Sequence, residues 1–391
     1  PDDVGLYVHF PYCEKKCPYC DFNSHVLPHD DHQYADAILR EIEDRSRDYG
    51  GHFETLYFGG GTPSLWDPSA VARVIAFARR KGLDPQAEVT LEANPGTVHE
   101  ALFHRFVEAG VNRFSIGAQS FQDGELVQLG RIHDANTSAR AVTAAKKTGA
   151  RVSLDLIYAQ PKQTAADVDR SLDRALSLEP HHVSAYTLTV EPGTALGRKF
   201  DAGTFVPMED DDQADMIEQV TARLAAAGYA RYEVSSYAPD GLEARHNTVY
   251  WRGGPYLGVG AGAHSYRPAP GLSGAYRRGN IKSPNEYLSR ALAGDHRPGF
   301  EETVGRNDAL SERLMLGVRV KWGLDLLRLA NDAGLDLPVL LASAGPVIDR
   351  LIAEGLLVRE GPVIAPTARG FLFADGIGRR LLGAVGLDSL G

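Results

Sequence analysis

Short runs of aliphatic, β-branched and aromatic residues recur along the first two thirds of the chain. Each run is followed by a longer segment whose apolar positions return with helical spacing, and several of these segments begin at Asp, Ser or Thr and end at glycine. Strand alternating with helix predicts a parallel sheet with right-handed crossovers. The predicted strands are 6–10, 55–61, 88–95, 113–120, 152–160, 182–190 and a weaker run at 232–238, and the predicted helices are 31–47, 68–81, 99–109, 136–148, 164–178 and 209–227.

Six or seven such units predict a TIM-like α/β barrel, complete or partial, with a doubly wound open sheet as the alternative. The polar residues that end the strands favour the barrel. A cysteine-bearing loop follows the first strand and "GGGTP" the second, while Glu92 and Asn94, Gln119, and Asp155 end the next three. In a barrel these groups gather at the C-terminal rim of the strands, where active sites lie.

The pattern changes from about residue 300 onward. Segments such as "NDALSERLMLGVRV" and "VLLASAGPVIDRLIAEGLLVRE" predict helices, and a β-hairpin follows them. This order resembles a winged helix and predicts a smaller α+β C-terminal domain. We therefore predict a core barrel over 1–238, a connecting region over 239–300 and a C-terminal domain over 301–391.

Composition and charge narrow the function classes. No apolar run is long enough to span a bilayer, and nothing in the residues given has the pattern of a signal peptide, so we expect a cytoplasmic protein. A formal net charge of −10 argues against broad binding to nucleic acid. No segment is basic and amphipathic enough to predict more than peripheral membrane association.

All three cysteines of the chain, Cys13, Cys17 and Cys20, lie in the loop after the first strand in a C-x3-C-x2-C pattern. An odd number in a reducing compartment does not suit disulfides, and this spacing lets three thiolates converge on one metal centre. A four-iron cluster with one open iron is the leading interpretation. A zinc site with His9 or His25 as fourth ligand, or three inert buried thiols, are the alternatives.

The run "YVHFPYCEKKCPYCDF" resembles the signature of the radical SAM superfamily. Further motifs, in the order "YFGGGTPSLW", "EANPGT", "GVNRFSIGAQSF", "LGRIHDA" and "SLDLIYAQP", resemble the branch that contains oxygen-independent coproporphyrinogen III oxidase, HemN, and the HemW heme chaperones. The resemblance covers nearly the whole chain. It implies a partial (β/α)6 barrel, a [4Fe-4S] cluster whose open iron chelates S-adenosylmethionine, and a HemN-type C-terminal domain.

The resemblance also implies roles for single residues. Cys13, Cys17 and Cys20 would hold the cluster, Tyr19 would pack on the adenine, and Tyr7 would contact the cofactor. The run Gly59, Gly60, Gly61 and Thr62 would let backbone groups approach the methionine amino group, and Glu92, Gln119, Arg131 and Asp155 would hold the ribose, carboxylate and amino groups. Read without the family, the glycine run is equally a tight turn, and single polar residues after strands are usually caps or solvated groups.

Two departures separate the chain from the oxidase. The oxidase has a fourth cysteine two residues after the third, where this chain has Phe22, and it has a long extension before its first strand, where only six residues precede Tyr7 here. The segment "HNTVYW" at 246–251 resembles the HNxxYW motif of HemW and makes His246 the leading heme ligand. Without the family, the same segment would be a helix cap with aromatic residues at an interface.

The resemblance therefore implies a heme chaperone that carries a [4Fe-4S] cluster and S-adenosylmethionine and delivers heme to acceptor hemoproteins, with a homodimer as one implied assembly. The alternative is a radical SAM enzyme, of the coproporphyrinogen-decarboxylating type or acting on another substrate through a 5′-deoxyadenosyl radical. Whether the chain is an enzyme stays open at this point, although coproporphyrinogen oxidase activity is not expected.

Overall fold

Six parallel strands in sequential order form the centre of the molecule. The computed structural model describes residues 3–334 and 336–386. Strands β1 to β6 neighbour one another in the order 1-2-3-4-5-6 without reversal, which excludes the doubly wound alternative. The sheet stays open, because β1 and β6 pair with other strands and not with each other. The strands are β1 (Gly5–Phe10), β2 (Phe53–Gly60), β3 (Leu83–Ala93), β4 (Arg113–Gln119), β5 (Arg151–Tyr158) and β6 (His182–Thr187).

Helices connect these strands, and their caps explain where several of them begin. The side chains of Asp30, Asp67, Asp134 and Thr164 each accept a hydrogen bond from a free backbone N–H of the first helical turn. The partial (β/α)6 barrel expected from the sequence is confirmed. Its helices are α1 (Asp31–Arg45), α2 (Pro68–Arg80), α3 (Glu100–Ala109), α4 (Asp123–Gln128), α5 (Ala135–Lys147), α6 (Ala165–Ser177), α7 (Ala195–Asp201) and α8 (Asp210–Ala226).

Period-two alternation along the strands separates the apolar core from a polar interior. On β2, Leu56 and Phe58 belong to the main hydrophobic cluster, whereas Tyr57 between them lines the interior cavity. Strand β3 repeats the pattern, with Leu91 in the cluster and Glu92 at the cavity. Because successive side chains of a strand point to opposite faces, the polar residues of the middle strands share one interior.

The weaker strand predicted at 232–238 is wrong as a parallel barrel strand. The chain instead forms the short β7 (Ala230–Arg231) and β8 (Ser236–Ala238), which pair antiparallel, and β8 pairs antiparallel with β6. Between them Glu233 accepts a bond from the backbone N–H of Ser235, which turns the chain. The barrel therefore has six parallel units and not seven.

The region after the barrel extends the same sheet. Strand β9 pairs parallel with the free edge of β1, and three antiparallel strands continue outward from it, so that the sheet has twelve strands in all among the described residues. The elements are α9 (Arg245–Trp251), β9 (Tyr256–Val259), β10 (His264–Pro268), β11 (Ala275–Gly279), α10 (Pro284–Leu292) and β12 (Phe300–Val304).

The C-terminal part is a smaller α+β unit, as expected. It has the helix, strand, helix, helix, hairpin order of a winged helix and a hydrophobic cluster of its own, which also takes in Tyr266 and Val304 from the extended sheet. The domain boundaries stay predictions, and residues 387–391 of the predicted C-terminal domain lie outside the described residues. The elements are α11 (Arg306–Gly317), β13 (Leu324–Asp325), α12 (Leu326–Ala333), α13 (Leu337–Ala353), β14 (Leu357–Glu360), β15 (Val363–Pro366), α14 (Ala368–Leu372) and α15 (Ala374–Val385).

No helix within the described ranges is long and apolar enough to cross a lipid bilayer.

Candidate cofactor site

A cavity of about 360 Å³ lies between the cysteine loop and the C-terminal ends of the barrel strands. Most residues predicted for the site from the sequence line it together. Tyr7 and His246 lie deeper, where the Tyr7 ring stacks on Tyr57 and on His246 with centroid distances of 6.1 and 6.4 Å. The predicted residues at the cavity are Cys13, Cys17, Tyr19, Cys20, Gly60, Gly61, Thr62, Glu92, Gln119, Arg131 and Asp155.

Backbone hydrogen bonds join the two ends of the cysteine loop. The N–H of His25 donates to Pro11 O at 2.7 Å, and the N–H of Cys13 donates to His25 O at 2.9 Å. Inside the loop, the N–H of Cys20 donates to Cys17 O at 3.2 Å. All three thiols are free and half-buried, and burial raises the pKa of Cys13 and of Cys20. Three thiols crowded beside a cavity, with no disulfide, are a donor set that fits a metal centre.

Two features do not fit a single zinc ion held by the three cysteines and His9. The three sulfur atoms do not all lie within 4.8 Å of one another, whereas ligands of one tetrahedral zinc with Zn–S bonds of about 2.3 Å sit roughly 3.8 Å apart. Both ring nitrogens of His9 are engaged, Nδ1 with the Tyr7 hydroxyl at 2.9 Å and Nε2 with Asn23 O at 2.8 Å. His9 is therefore not a free fourth ligand.

Arg131 connects two of the cysteine-loop residues to the barrel. Its guanidinium lies 3.4 Å from Cys17 Sγ and 3.5 Å from the Tyr19 hydroxyl, and it donates to Gly117 O at 3.0 Å. Among the described residues, the buried Nε of Arg131 has no hydrogen-bond partner. The guanidinium charge at the cavity would stabilise an anionic ligand group there. The role of Arg131 as one of the residues that hold the ribose, carboxylate and amino groups stays a prediction.

The glycine run lets the end of β2 pack against the cysteine loop. At Gly60, whose φ is +111°, a Cβ would lie 2.4 Å from the His9 ring, and at Gly61 a Cβ would lie 2.6 Å from Tyr12 O. The N–H of Thr62 donates to Tyr12 O at 2.8 Å, and its hydroxyl donates to Cys13 Sγ at 3.3 Å. These contacts alone explain the glycines, and a backbone contact to a ligand stays a prediction.

Two carboxyl groups face the same interior. Glu92 accepts bonds from the Tyr57 hydroxyl at 2.8 Å and from the N–H of Gly60 at 3.1 Å. Burial and, to a smaller extent, the nearby charge of Asp155 raise the pKa of Glu92 to about 7. Burial also raises the pKa of Asp155, which accepts from the Ser115 hydroxyl at 3.0 Å. Hydroxyl and ammonium donors of a ligand would stabilise the charged forms of both groups.

The polar lining includes residues that the sequence analysis did not select. Tyr57, Ser115, Ser184 and Arg113 line the cavity from neighbouring strands, and Asn247 reaches it from α9. The alternation of apolar and polar residues on β2, β4 and β6 was the available signal for the strand positions. Nothing in the sequence distinguished Asn247 from the rest of its motif.

His246 lies away from the cavity, beside the N-terminal ends of the strands. It is 1% exposed, its Nδ1 lies 2.7 Å from the Thr55 hydroxyl, and its Nε2 lies 2.7 Å from the Tyr250 hydroxyl. Burial lowers the pKa of His246 to about 3, which keeps the imidazole neutral. In this arrangement neither ring nitrogen is free to bind heme iron, so the heme role of His246 stays a prediction that requires one hydrogen bond to be given up.

Comparison with known proteins matches both parts of the chain. Residues 7–175 match the radical SAM superfamily, and residues 304–373 match the HemN C-terminal domain. In structure, the chain is similar to coproporphyrinogen III oxidase (HemN) from Escherichia coli, with a TM-score of 0.80, 22% identity, and coverage of 97% of this chain and 90% of that one. At this identity the likeness shows the fold.

Similarity in sequence is higher to heme chaperones. The chain is 38% identical to heme chaperone HemW of Mycobacterium tuberculosis (strain H37Rv), over 97% of this chain and 95% of that protein. It is 36% identical to heme chaperone HemW of Escherichia coli K12, over 96% of this chain and 97% of that protein. The chain therefore belongs to the HemW family of the radical SAM superfamily.

Proposed function

We propose that this protein is a heme chaperone that binds heme and transfers it to acceptor hemoproteins, and that it carries a [4Fe-4S] cluster and S-adenosylmethionine. The near full-length similarity to HemW relatives carries the proposal. The identity of Phe22 supports it over an oxidase, since this residue stands where the oxidase pattern has a further cysteine. Phe22 is 59% exposed and lines the cavity.

The cofactor site is assigned on the chemistry of its residues. Cys13, Cys17 and Cys20 would hold three irons of the cluster, and the cluster would supply an open iron and a single electron to the bound S-adenosylmethionine. Arg131 lines the cavity and would bind an anionic group of the ligand through its guanidinium. Glu92 and Asp155 would accept hydrogen bonds from the ligand's amino and hydroxyl groups.

Tyr7 and Tyr19 take different parts in this proposal. Tyr19 lines the cavity directly and would pack against the adenine. Tyr7 donates to His9, whose other nitrogen holds the cysteine loop, so Tyr7 would act through His9. Gln119, with φ of +67° at the end of β4, is turned toward the cavity by a backbone conformation that the fold must enforce.

A radical SAM enzyme acting on a tetrapyrrole is the second candidate. The observation in its favour is the buried polar interior with Glu92, Arg131 and Asp155. These groups suit a charged ligand, and a cluster with only a structural role would not require them. For the proposed chaperone, a cytoplasmic location, a homodimer and at most peripheral contact with membranes stay predictions.

Anaerobic reconstitution separates the candidates. The protein is loaded with iron and sulfide, titrated with heme and with S-adenosylmethionine, and assayed for heme transfer to an apo-hemoprotein and for porphyrinogen decarboxylation in the same preparation. Stoichiometric heme binding with transfer and no decarboxylation is the expected result. Porphyrinogen turnover coupled to 5′-deoxyadenosine would overturn the chaperone proposal, and replacement of all three cysteines by serine serves as the cluster-free control.

A further inference from the structure

The glycine-rich segment "YLGVGAGAHSY" at 256–266 has no part in the proposed function, yet all three of its glycines are sterically required, and two of them face β1 and the cysteine loop. At Gly260, with φ of +102°, a Cβ would lie 2.4 Å from His9 O. At Gly262, with φ of +77°, a Cβ would lie 2.4 Å from Asn23 Nδ2 and 2.8 Å from Asn23 Cγ. Both glycines thus admit atoms of β1 and of the cysteine loop into the segment that follows β9.

The side chain of Asn23, three residues after Cys20, makes three hydrogen bonds at this contact. Its Nδ2 donates to Ala261 O and to Lys282 O, both at 2.9 Å, and its Oδ1 lies 3.1 Å from His25 Nε2. The two carbonyls belong to segments far along the chain that lie beyond the barrel. A single amide side chain therefore spans the cysteine loop and the extended sheet.

The main chain of Asn23 is held as well. Its carbonyl oxygen lies 2.8 Å from His9 Nε2. Because a carbonyl only accepts, that nitrogen carries the proton, and Nδ1 accepts from the Tyr7 hydroxyl. Burial lowers the pKa of His9 to about 4, so this neutral form persists at neutral pH.

Cys13 and Cys17 each accept a hydrogen bond from a residue outside the cysteine loop. Thr62 donates to Cys13 Sγ, and Arg131 donates to Cys17 Sγ. Cys20 has no comparable bond from another element among the contacts of the described residues, and the chain that leaves it is tied down at Asn23. We propose that Asn23 is a positioning residue that fixes the third cysteine for cluster binding by fastening the cysteine loop to residues 261 and 282.

This inference rests on the cluster proposed above and is tested by cluster retention and not by activity. Asn23→Asp keeps the size of the side chain but replaces the amide nitrogen, which donates twice, by one oxygen that faces two carbonyl oxygens. After anaerobic reconstitution, we expect this variant to lose iron to a chelator roughly tenfold faster than the parent protein, since two hydrogen bonds are removed. We also expect a changed electron paramagnetic resonance spectrum of the reduced cluster. The matched control is Asn136→Asp, at an exposed position of α5.

Gly262→Ala tests the same contact from the opposite side. Its methyl group would displace the Asn23 amide, so it should also speed iron loss, and in Asn23→Ala/Gly262→Ala the two effects should be less than additive because the displaced group is absent. Circular dichroism and melting of the cluster-free proteins show whether each variant is folded. Iron loss and spectra equal to the parent in folded Asn23→Asp would overturn the inference alone, whereas failure of the parent to hold a cluster would overturn the proposed function with it.

Discussion

At the scale of single residues, Glu92 makes stability depend on pH. Its pKa is raised from 4.5 to about 7 in the fold, mainly by burial. Between these values the folded state binds a proton that the unfolded state has released, so stability falls as the pH rises through this window. Glu92→Gln removes this titration. We therefore expect the free energy of unfolding of the variant, relative to that of the parent, to rise by on the order of 2 kcal/mol between pH 5 and pH 8.

Urea unfolding of the cofactor-free protein at the two pH values measures this difference. Glu108→Gln, on the exposed face of α3, is the control for removal of one carboxylate. An equal pH dependence in the parent and in Glu92→Gln would mean that Glu92 is ionised in the fold throughout the range.

The heme role of His246 can be tested through its hydrogen-bond partner. If Nε2 is to bind iron, it must release the Tyr250 hydroxyl, which now lies 2.7 Å away. Tyr250→Phe removes this competitor and keeps the ring, so we expect it to raise heme affinity by roughly fivefold, the equivalent of one hydrogen bond, while His246→Ala abolishes axial ligation. Heme titration followed by absorbance measures both, and unchanged heme binding in folded His246→Ala would remove His246 from the site.

The site residues show what a single sequence reveals and what it leaves out. Cys13 and Glu92 could be selected because chemically distinctive residues near the ends of strands stand out, whereas Arg131 was selected from the family resemblance. The structure brings all three to one cavity. Asn23 and Tyr57 could not be selected, because their importance depends on partners far along the chain. His246 was selected from its motif, yet its burial between Thr55 and Tyr250 depends on tertiary contacts that the motif does not encode.

At the scale of elements, the glycine run at the end of β2 determines how closely this strand packs against the side chains of β1. Gly60→Ala would place a methyl group 2.4 Å from the His9 ring at a φ of +111°. Steric overlap and backbone strain together should lower the free energy of unfolding by about 3 kcal/mol or more. Gly124→Ala is the control, since this helical glycine of α4 has open space around it and alanine there should stabilise by about 0.5–1 kcal/mol.

Chemical denaturation of the cofactor-free variants measures this contrast. Equal stability of Gly60→Ala and the parent would show that the loop can move away from His9 without cost. The strands and helices around this turn were predictable because caps and alternation are local signals. The split of residues 230–238 into an antiparallel pair was not, because it depends on pairing with the edge of β6.

At the scale of the whole molecule, the barrel depends on residues beyond its last parallel strand. Strand β9 covers the edge of β1, and Glu41 on α1 is 1% exposed and accepts bonds from Asn280 and Tyr287 as well as from Arg45. The sequence predicted a connecting region over 239–300 here, with no strand paired to the barrel. Long-range pairing of β9 with β1 leaves no local trace in the sequence.

A chain that ends at residue 238 is therefore expected not to fold. It would leave the β1 edge unpaired, and Arg45 would lose its bonds to Gly258 O and Ser265 Oγ while Glu41 loses three of its partners. The Arg45–Glu41 pair would be retained without its other partners, and an open sheet edge promotes aggregation. The soluble expression and thermal unfolding of the shortened chain are compared with those of the full chain that carries Tyr287→Phe. This variant removes one hydrogen bond to Glu41 and should remain folded. Cooperative unfolding of the shortened chain would show that the barrel is an independent domain. Aggregation of the shortened chain, with Tyr287→Phe folded, would show that a stable fold needs residues beyond 238.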